Sequence, residues 1–172
     1  MARVRKLFDE REITERVGAL AEEIAGALPS DLTVIGLLVG SFVLVADLVR
    51  ALDGLGRAPR VGFIRLSSYG QRRESSGDVR LIGEVPDVAG RNILLVDDIV
   101  DTGRTLEFAR KLLLKCGAAR VWSCTLVDKP SRREVEVAMD FVGFSVPDVF
   151  LVGYGIDYAD RYRHLPYIGT ID

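Results

Sequence analysis

Three carboxylates within five positions, Asp97, Asp98 and Asp101, run directly into Thr102, Gly103, Arg104 and Thr105. The small and hydroxylated residues let the backbone fold closely around a phosphate. A helix predicted to start there offers free N–H groups and the positive end of its dipole. Acids beside an anion pocket make chemical sense once a sugar or a metal is supplied. Adjacent carboxylates at a strand end accept hydrogen bonds from two vicinal sugar hydroxyls, and they help hold Mg2+, which prefers oxygen ligands and phosphate partners. On residue types alone, a solvated acidic loop capping the helix is the competing reading, since paired Asp residues are common at turns.

Such a turn needs rigid elements on both sides. Asn92 to Val96 is an apolar run directly before it, and a helix to Lys115, closed by Gly117, follows it. Thr33 to Val39 and Val121 to Val127 are continuous apolar runs, the pattern of strands buried on both faces of a parallel sheet. Val61 to Leu66 is a further strand, Val79 to Ile82 a short one and Phe150 to Val152 a last one. Ile13, Val17, Leu20, Ile24 and Leu28 recur at steps of three and four, which predicts an amphipathic helix stopped by Pro29. Phe42 to Leu52 reads as another helix, with Ser41 as its cap. Ser67 to Asp78, rich in Ser, Gly and Arg without periodicity, reads as a mobile loop. Strands alternating with helices predict an open, mostly parallel α/β sheet, and such sheets bind ligands at the carboxyl ends of their strands. That rule selects Val39-Gly40-Ser41, the loop after Leu66, the acidic turn, and Asp128-Lys129.

The 172 residues suffice for one well-cored domain and not for two ordinary ones. With 48% apolar and 28% charged residues the composition is that of a soluble globular protein, and a net charge of −2 argues against nucleic-acid binding through bulk electrostatics. Met1 to Glu15 lacks the apolar core of a signal peptide, and no run approaches the roughly 20 apolar residues of a membrane span. Cys116 and Cys124 have no metal-ligand spacing and read as buried thiols in a reducing compartment, so a cytoplasmic location is expected.

The stretch from Val96 to Thr105 resembles the signature by which type I phosphoribosyltransferases bind phosphoribosyl pyrophosphate (PRPP): an apolar run, two acids, two apolar residues, Asp, Thr, Gly, a variable residue and Thr. Other segments resemble the hypoxanthine-guanine members of that family. Leu37 to Phe42 with Ala46 to Leu48 is similar to their pyrophosphate loop and following helix, and Ser67 to Gly70 to the start of their lid. Asp128 to Arg133 is similar to their base-binding lysine segment, and Val142 to Asp148 and Val152 to Gly169 to their C-terminal hood. Adenine and orotate enzymes do not share these segments. The resemblance implies the type I fold over residues 1–172, with a central mostly parallel sheet flanked by helices and a hood built mainly from about residue 140 onward plus N-terminal residues.

The resemblance also implies roles. Asp97 and Asp98 bind the ribose hydroxyls, and Asp101, Thr102, Gly103, Arg104 and Thr105 cradle the 5-phosphate. Asp101 is the general base or acid near N7 of a purine. Val39, Gly40, Ser41 and Arg163 meet the pyrophosphate. Ser68 and Tyr69 close as a lid. Lys129 donates to the purine O6, Phe150 stacks on the ring, and the backbone at Leu151 and Asp157 meets the base edge. The Asp157 side chain holds Mg2+, with Asp97 and Asp98 as further ligands. The implied activity is purine salvage, in which the phosphoribosyl group passes from PRPP to hypoxanthine or guanine to give IMP or GMP. A homodimer or homotetramer is implied as well.

Physical chemistry supports the lysine independently. Lys carries three donors and no acceptor. It satisfies the carbonyl O6 of a 6-oxopurine but faces the amino donor of adenine unpaired, and an unpaired buried polar group costs about 1–3 kcal/mol. Taken singly, the residues also allow plainer roles: Lys129 as a turn lysine beside Pro130, Phe150 as core, Arg163 on a solvated face, and His164 in a structural hydrogen bond. Relatives usually carry Lys or Arg before the glycine of the pyrophosphate loop, where this chain has Val39. Weaker pyrophosphate affinity is expected, or compensation by Arg72 or Arg73. A xanthine-preferring enzyme and a non-catalytic regulator that binds PRPP or RNA are the alternative functions.

Overall fold

The structure, a computed structural model, describes residues 3–68 and 78–171. Its centre is a six-stranded sheet in the order β4-β3-β2-β5-β6-β7. These strands are β2 (Leu32–Leu38), β3 (Arg60–Ser68), β4 (Val79–Ile82), β5 (Asn92–Val100), β6 (Arg120–Asp128) and β7 (Phe141–Ser145). All neighbours are parallel except β4, which returns antiparallel beside β3. β2 and β5 are buried along almost their whole length, as continuous apolar runs require when helices cover both faces.

Helices α1 (Glu10–Ala27) and α2 (Phe42–Asp53) cover one face. α3 (Arg104–Lys115) covers the other, packing Leu106, Ala109 and Leu113 against Ile35, Ile93 and Leu95. α1 starts earlier than its apolar spacing suggests, because Asp9 and Glu12 form a reciprocal capping box (2.9 and 2.8 Å). It stops at Leu28, which adopts the extended backbone favoured before Pro29. Among the described residues no helix is long and apolar enough to cross a membrane.

A second, three-stranded antiparallel sheet has the order β1-β9-β8. It joins β1 (Val4–Phe8), β8 (Leu151–Val152) and β9 (Ile168–Ile171). β1 is hidden in the sequence by Arg5 and Lys6, charges that an exposed edge strand carries readily. The expected hood boundary near residue 140 is too early: Phe141–Ser145 extends the main sheet as β7, and Arg16 of α1 donates to its Val142 and Gly143 carbonyls (both 2.7 Å). From the C-terminal part, the small sheet therefore takes only β8 and β9.

Candidate functional site

β5 does not end at Val96. β6 runs beside it to Asp128, pairing Asp97 with Thr125, Ile99 with Val127 and Val100 with Asp128. Asp97 and Asp98 therefore sit within the strand and not in the turn after it. Asp97 is only 8% exposed, which rules out a solvated acidic loop. Asp97 Oδ1 accepts from the Asp98 N–H (3.0 Å), and Asp98 Oδ1 accepts from the Ile99 N–H (2.9 Å). Burial, with the neighbouring Asp98 charge adding to it, raises the Asp97 carboxyl well above the ordinary carboxylate range. Burial raises Asp98 too, opposed in part by Arg163.

After Val100 the chain turns through Asp101, Thr102 and Gly103 into α3. Gly103 takes φ +84°, a left-handed conformation that glycine adopts freely. A cavity of about 240 Å3 is lined by Asp97 to Gly103 with Thr105 and Leu106. Arg104 is exposed and pairs with Glu134 (2.7 Å). Asp101 Oδ1 is buried and accepts no hydrogen bond from the described residues.

Lys129 follows the end of β6, its N–H donating to the Val100 carbonyl (3.0 Å). It is 6% exposed, so it is no surface turn lysine, and its Nζ lies 3.7 Å from Asp101 Oδ1. Phe150 is 52% exposed and touches Tyr158 edge-on (centroids 5.2 Å apart), so its ring is open to a partner and is not core. Leu151 is buried in β8, where it pairs with Thr170.

The opposite wall is made of turns. The Leu38–Val39 peptide is cis, and the Val39 carbonyl accepts from the Phe42 N–H (3.2 Å). Ser41 does not cap α2 as expected: its backbone is already helical, and its hydroxyl is buried without a partner among the described residues. A Cβ placed on Gly40 would stand 2.0 Å from Asp98 Oδ2, and one on Gly155 would stand 2.1 Å from the Gly40 carbonyl oxygen. Glycine at both positions is what lets the loop meet the acids and the Gly153–Gly155 turn meet the loop.

Arg163 holds that turn, donating to the Gly155 carbonyl (2.7 Å) and pairing with Asp157 (2.9 Å). Asp157 also accepts from the Asp160 N–H (2.9 Å). Tyr154, buried, donates its hydroxyl to Asp47 of α2, and burial, with the Asp47 carboxylate adding to it, raises its phenol well above the ordinary tyrosine value. His164 is exposed and makes no side-chain hydrogen bond among the described residues, contrary to the structural bond expected of it. Ser68 ends β3. Tyr69, Arg72 and Arg73 lie outside the described residues, as do the other residues of 69–77.

The structure thus brings together the acids of β5, the phosphate-type turn, Lys129, the Gly40 loop and Arg163. No local pattern in the chain signals the parts played by Gly155, Tyr154 and Asp47. Tyr154 and Asp47 are far apart in the sequence, and only the folded docking of α2 against the turn pairs them.

Residues 4–159 match the family model described as phosphoribosyl transferase domain. The chain is 44% identical to the hypoxanthine phosphoribosyltransferase of Escherichia coli (strain K12), across 98% of this chain and 95% of that one. It is 41% identical to the hypoxanthine-guanine phosphoribosyltransferase of Bacillus subtilis (strain 168), across 96% and 91%. A crystal structure of a hypoxanthine-guanine phosphoribosyltransferase from Bacillus anthracis superposes with a TM-score of 0.91 at 37% identity, covering both chains completely.

Proposed function

The chain belongs to the phosphoribosyltransferase family, and from that premise we propose that it is a hypoxanthine phosphoribosyltransferase of purine salvage, moving the phosphoribosyl group of PRPP onto hypoxanthine or guanine. The observation that carries this reading is the buried Lys129 ammonium beside Asp101: a cation without acceptor capacity faces an acid at the edge of a phosphate-type turn. At position 6 a 6-oxopurine offers that cation a carbonyl acceptor, where adenine presents an amino donor.

In this reading the amides of Asp101 to Thr105 hold the 5-phosphate, and Asp97 and Asp98 accept from the ribose hydroxyls. Hydroxyl donors arriving from the ribose would favour the ionised form of Asp97 and so oppose the burial that raises its carboxyl. Phe150 stacks on the base, Leu151 and Asp157 meet its edge through the backbone, and Lys129 fixes O6. Asp101 accepts or returns the N7 proton as N9 attacks the anomeric carbon and pyrophosphate leaves. Arg163, with the amides of Val39, Gly40 and Ser41, receives the leaving group. Ser68 and Tyr69 belong to a lid that excludes water from the cationic transition state.

Mg2+ would be held by one or two of Asp157, Asp97 and Asp98 together with substrate phosphates. The described residues contain no cluster of three or more such side chains, and Mg2+ keeps its waters and takes one or two carboxylates with substrate phosphates. Bound there, it would neutralise pyrophosphate charge. Exposed Phe42, Val61, Phe63 and Ile82 favour covering by a second copy in a homodimer or homotetramer. The expected location is cytoplasmic.

The test offers hypoxanthine, guanine, xanthine and adenine separately with PRPP and Mg2+. Turnover of hypoxanthine or guanine but not adenine supports the reading. Turnover of xanthine alone, or silence with all four while PRPP still binds, defeats it. Lys129→Met is expected to cut kcat/KM for hypoxanthine by about 10–100-fold, the equivalent of a charge-assisted hydrogen bond of about 1.5–3 kcal/mol. An unchanged value would remove Lys129 from base recognition.

A further inference from the structure

Segment Lys129–Val135 wraps the acidic turn and bonds its successive carbonyls. The Lys129 N–H takes that of Val100 (3.0 Å), and the Glu134 and Val135 N–H groups share that of Thr102 (2.9 and 3.2 Å). Between them, the Asp101 carbonyl accepts from Arg133 Nη1 (2.9 Å). The other arm of the same guanidinium pairs with the Asp128 carboxylate at the end of β6, and both side chains are largely buried (20% and 11% exposed). The Arg133 stem also lies against the turn: a Cβ on Gly103 would come within 3.1 Å of Arg133 Cδ.

A planar trans peptide points its C=O and the next N–H in opposite directions. Pinning the Asp101 carbonyl on the Arg133 side therefore directs the Thr102 N–H away from Arg133. Pinning the Thr102 carbonyl does the same for the Gly103 N–H. Among the described residues neither of these N–H groups donates to the protein. Without Arg133 the Asp101–Thr102 peptide loses the one side-chain anchor it has among the described residues and is free to rotate about the adjoining φ and ψ.

We propose that Arg133 is a positioning residue for the phosphate of the substrate: it orients the Thr102 amide through the Asp101 carbonyl, and its bond to Asp128 holds the guanidinium in place. This rests on the reading of the turn as the 5-phosphate site. Lys cannot replace Arg fully, since one ammonium does not span two acceptors with the planar fork of a guanidinium.

Arg133→Met keeps the stem and removes both donors, but it leaves the buried Asp128 carboxylate unpaired. Arg133→Met/Asp128→Asn removes that charge as well. PRPP and hypoxanthine KM, kcat, thermal midpoint and the Kd of ribose 5-phosphate are measured for wild type, both variants and Arg133→Lys. The expected result is a rise of about tenfold in PRPP KM and ribose 5-phosphate Kd in both Met variants, about 1.4 kcal/mol. Hypoxanthine KM is expected to stay within about twofold of wild type, the tenfold scale of 1.4 kcal/mol being reserved for the phosphate. The double variant regains thermal midpoint without regaining affinity, and Arg133→Lys falls between. A double variant with both stability and phosphate affinity restored overturns the proposal, since Arg133 would then serve only to neutralise Asp128. Ribose 5-phosphate binding needs no turnover, so a wild type that binds it but converts no purine defeats the functional reading and leaves the Arg133 measurement intact.

Discussion

Asp97 and Asp98 sit within β5 with β6 paired alongside as far as Asp128, whereas Val39 to Ser41 and Gly153 to Arg163 face them as turns without a ladder. The acid-bearing wall is held by strand pairing and by the bonds from Lys129 to Val135. The facing wall is held by close backbone approach, with Gly40 against Asp98 and Gly155 against Gly40, and by Arg163 and Tyr154. The residues from Tyr154 to Tyr162 include four non-glycine residues with positive φ, a backbone that local propensity alone would not select. A wall built on a ladder tolerates side-chain exchange and answers through chemistry. A wall built on missing side chains answers through sterics.

The largest expected effect therefore lies in the turn wall. Gly40→Ala places a Cβ where Asp98 Oδ2 now stands, 2.0 Å away, with Gly155 closing the other side. One of the two must move, and catalytic positioning is sensitive to shifts of about 1 Å. A fall in kcat/KM of about 100-fold, near 2.7 kcal/mol, is expected with the circular dichroism spectrum and thermal midpoint close to wild type. Activity within about fivefold of wild type, a difference under about 1 kcal/mol, would show that the loop yields freely and would break the contrast.

The acid wall is expected to respond differently, trading stability against activity. In the ligand-free protein Asp97 is raised, so the folded state holds its proton more tightly than the unfolded chain does. The ionised form is therefore penalised in the folded state: stability falls as pH rises from the ordinary carboxylate range through the raised folded value. Asp97→Asn relieves that penalty. At neutral pH its thermal midpoint should exceed wild type by about 2–4 °C for each kcal/mol relieved. The gain should vanish toward acidic pH, where wild-type Asp97 is itself protonated, while PRPP turnover drops. A midpoint equal to wild type at every pH would mean that burial does not strain this carboxyl.

How far each wall could be read from the sequence obeys the same division. The β5 and β6 runs, the acids and the Thr102-Gly103 turn lie contiguous in the chain, and their local pattern carries the strand assignment and motivates the proposed phosphate role. Only the end of β5 escaped, because strand length depends on how far β6 continues beside it. The turn wall is assembled from segments more than a hundred residues apart, as with Asp47 and Tyr154, and no periodicity records such a pairing. Resemblance to relatives pointed to Asp157 and Arg163, yet neither the exposure of Phe150 nor the burial of Lys129 can be read from their neighbours in sequence. Ser41 shows the limit from the other side: a residue type favoured at helix caps has its hydroxyl against Gly36, where it caps no backbone N–H of α2.

Val39 gives the smallest and sharpest comparison. It stands 39% exposed at the start of the turn wall, at the position where the sequence resemblance leads to the expectation of a cation. If this wall binds pyrophosphate through backbone amides and Arg163, a lysine at Val39 adds a solvated charge and leaves the loop geometry alone. Solvated ion pairs contribute about 0.2–1 kcal/mol, so Val39→Lys should lower PRPP KM by about 1.5- to 5-fold. The gain should fade as ionic strength rises, because exposed charges are screened over about 8–10 Å near physiological salt. A gain that persists at high salt would place the new ammonium in direct, desolvated contact with pyrophosphate, and the turn wall would then be one that chemistry as well as sterics can tune. No gain at low salt would mean that Arg163 and the amides already supply what the family cation provides elsewhere, and the valine would carry no deficit in affinity.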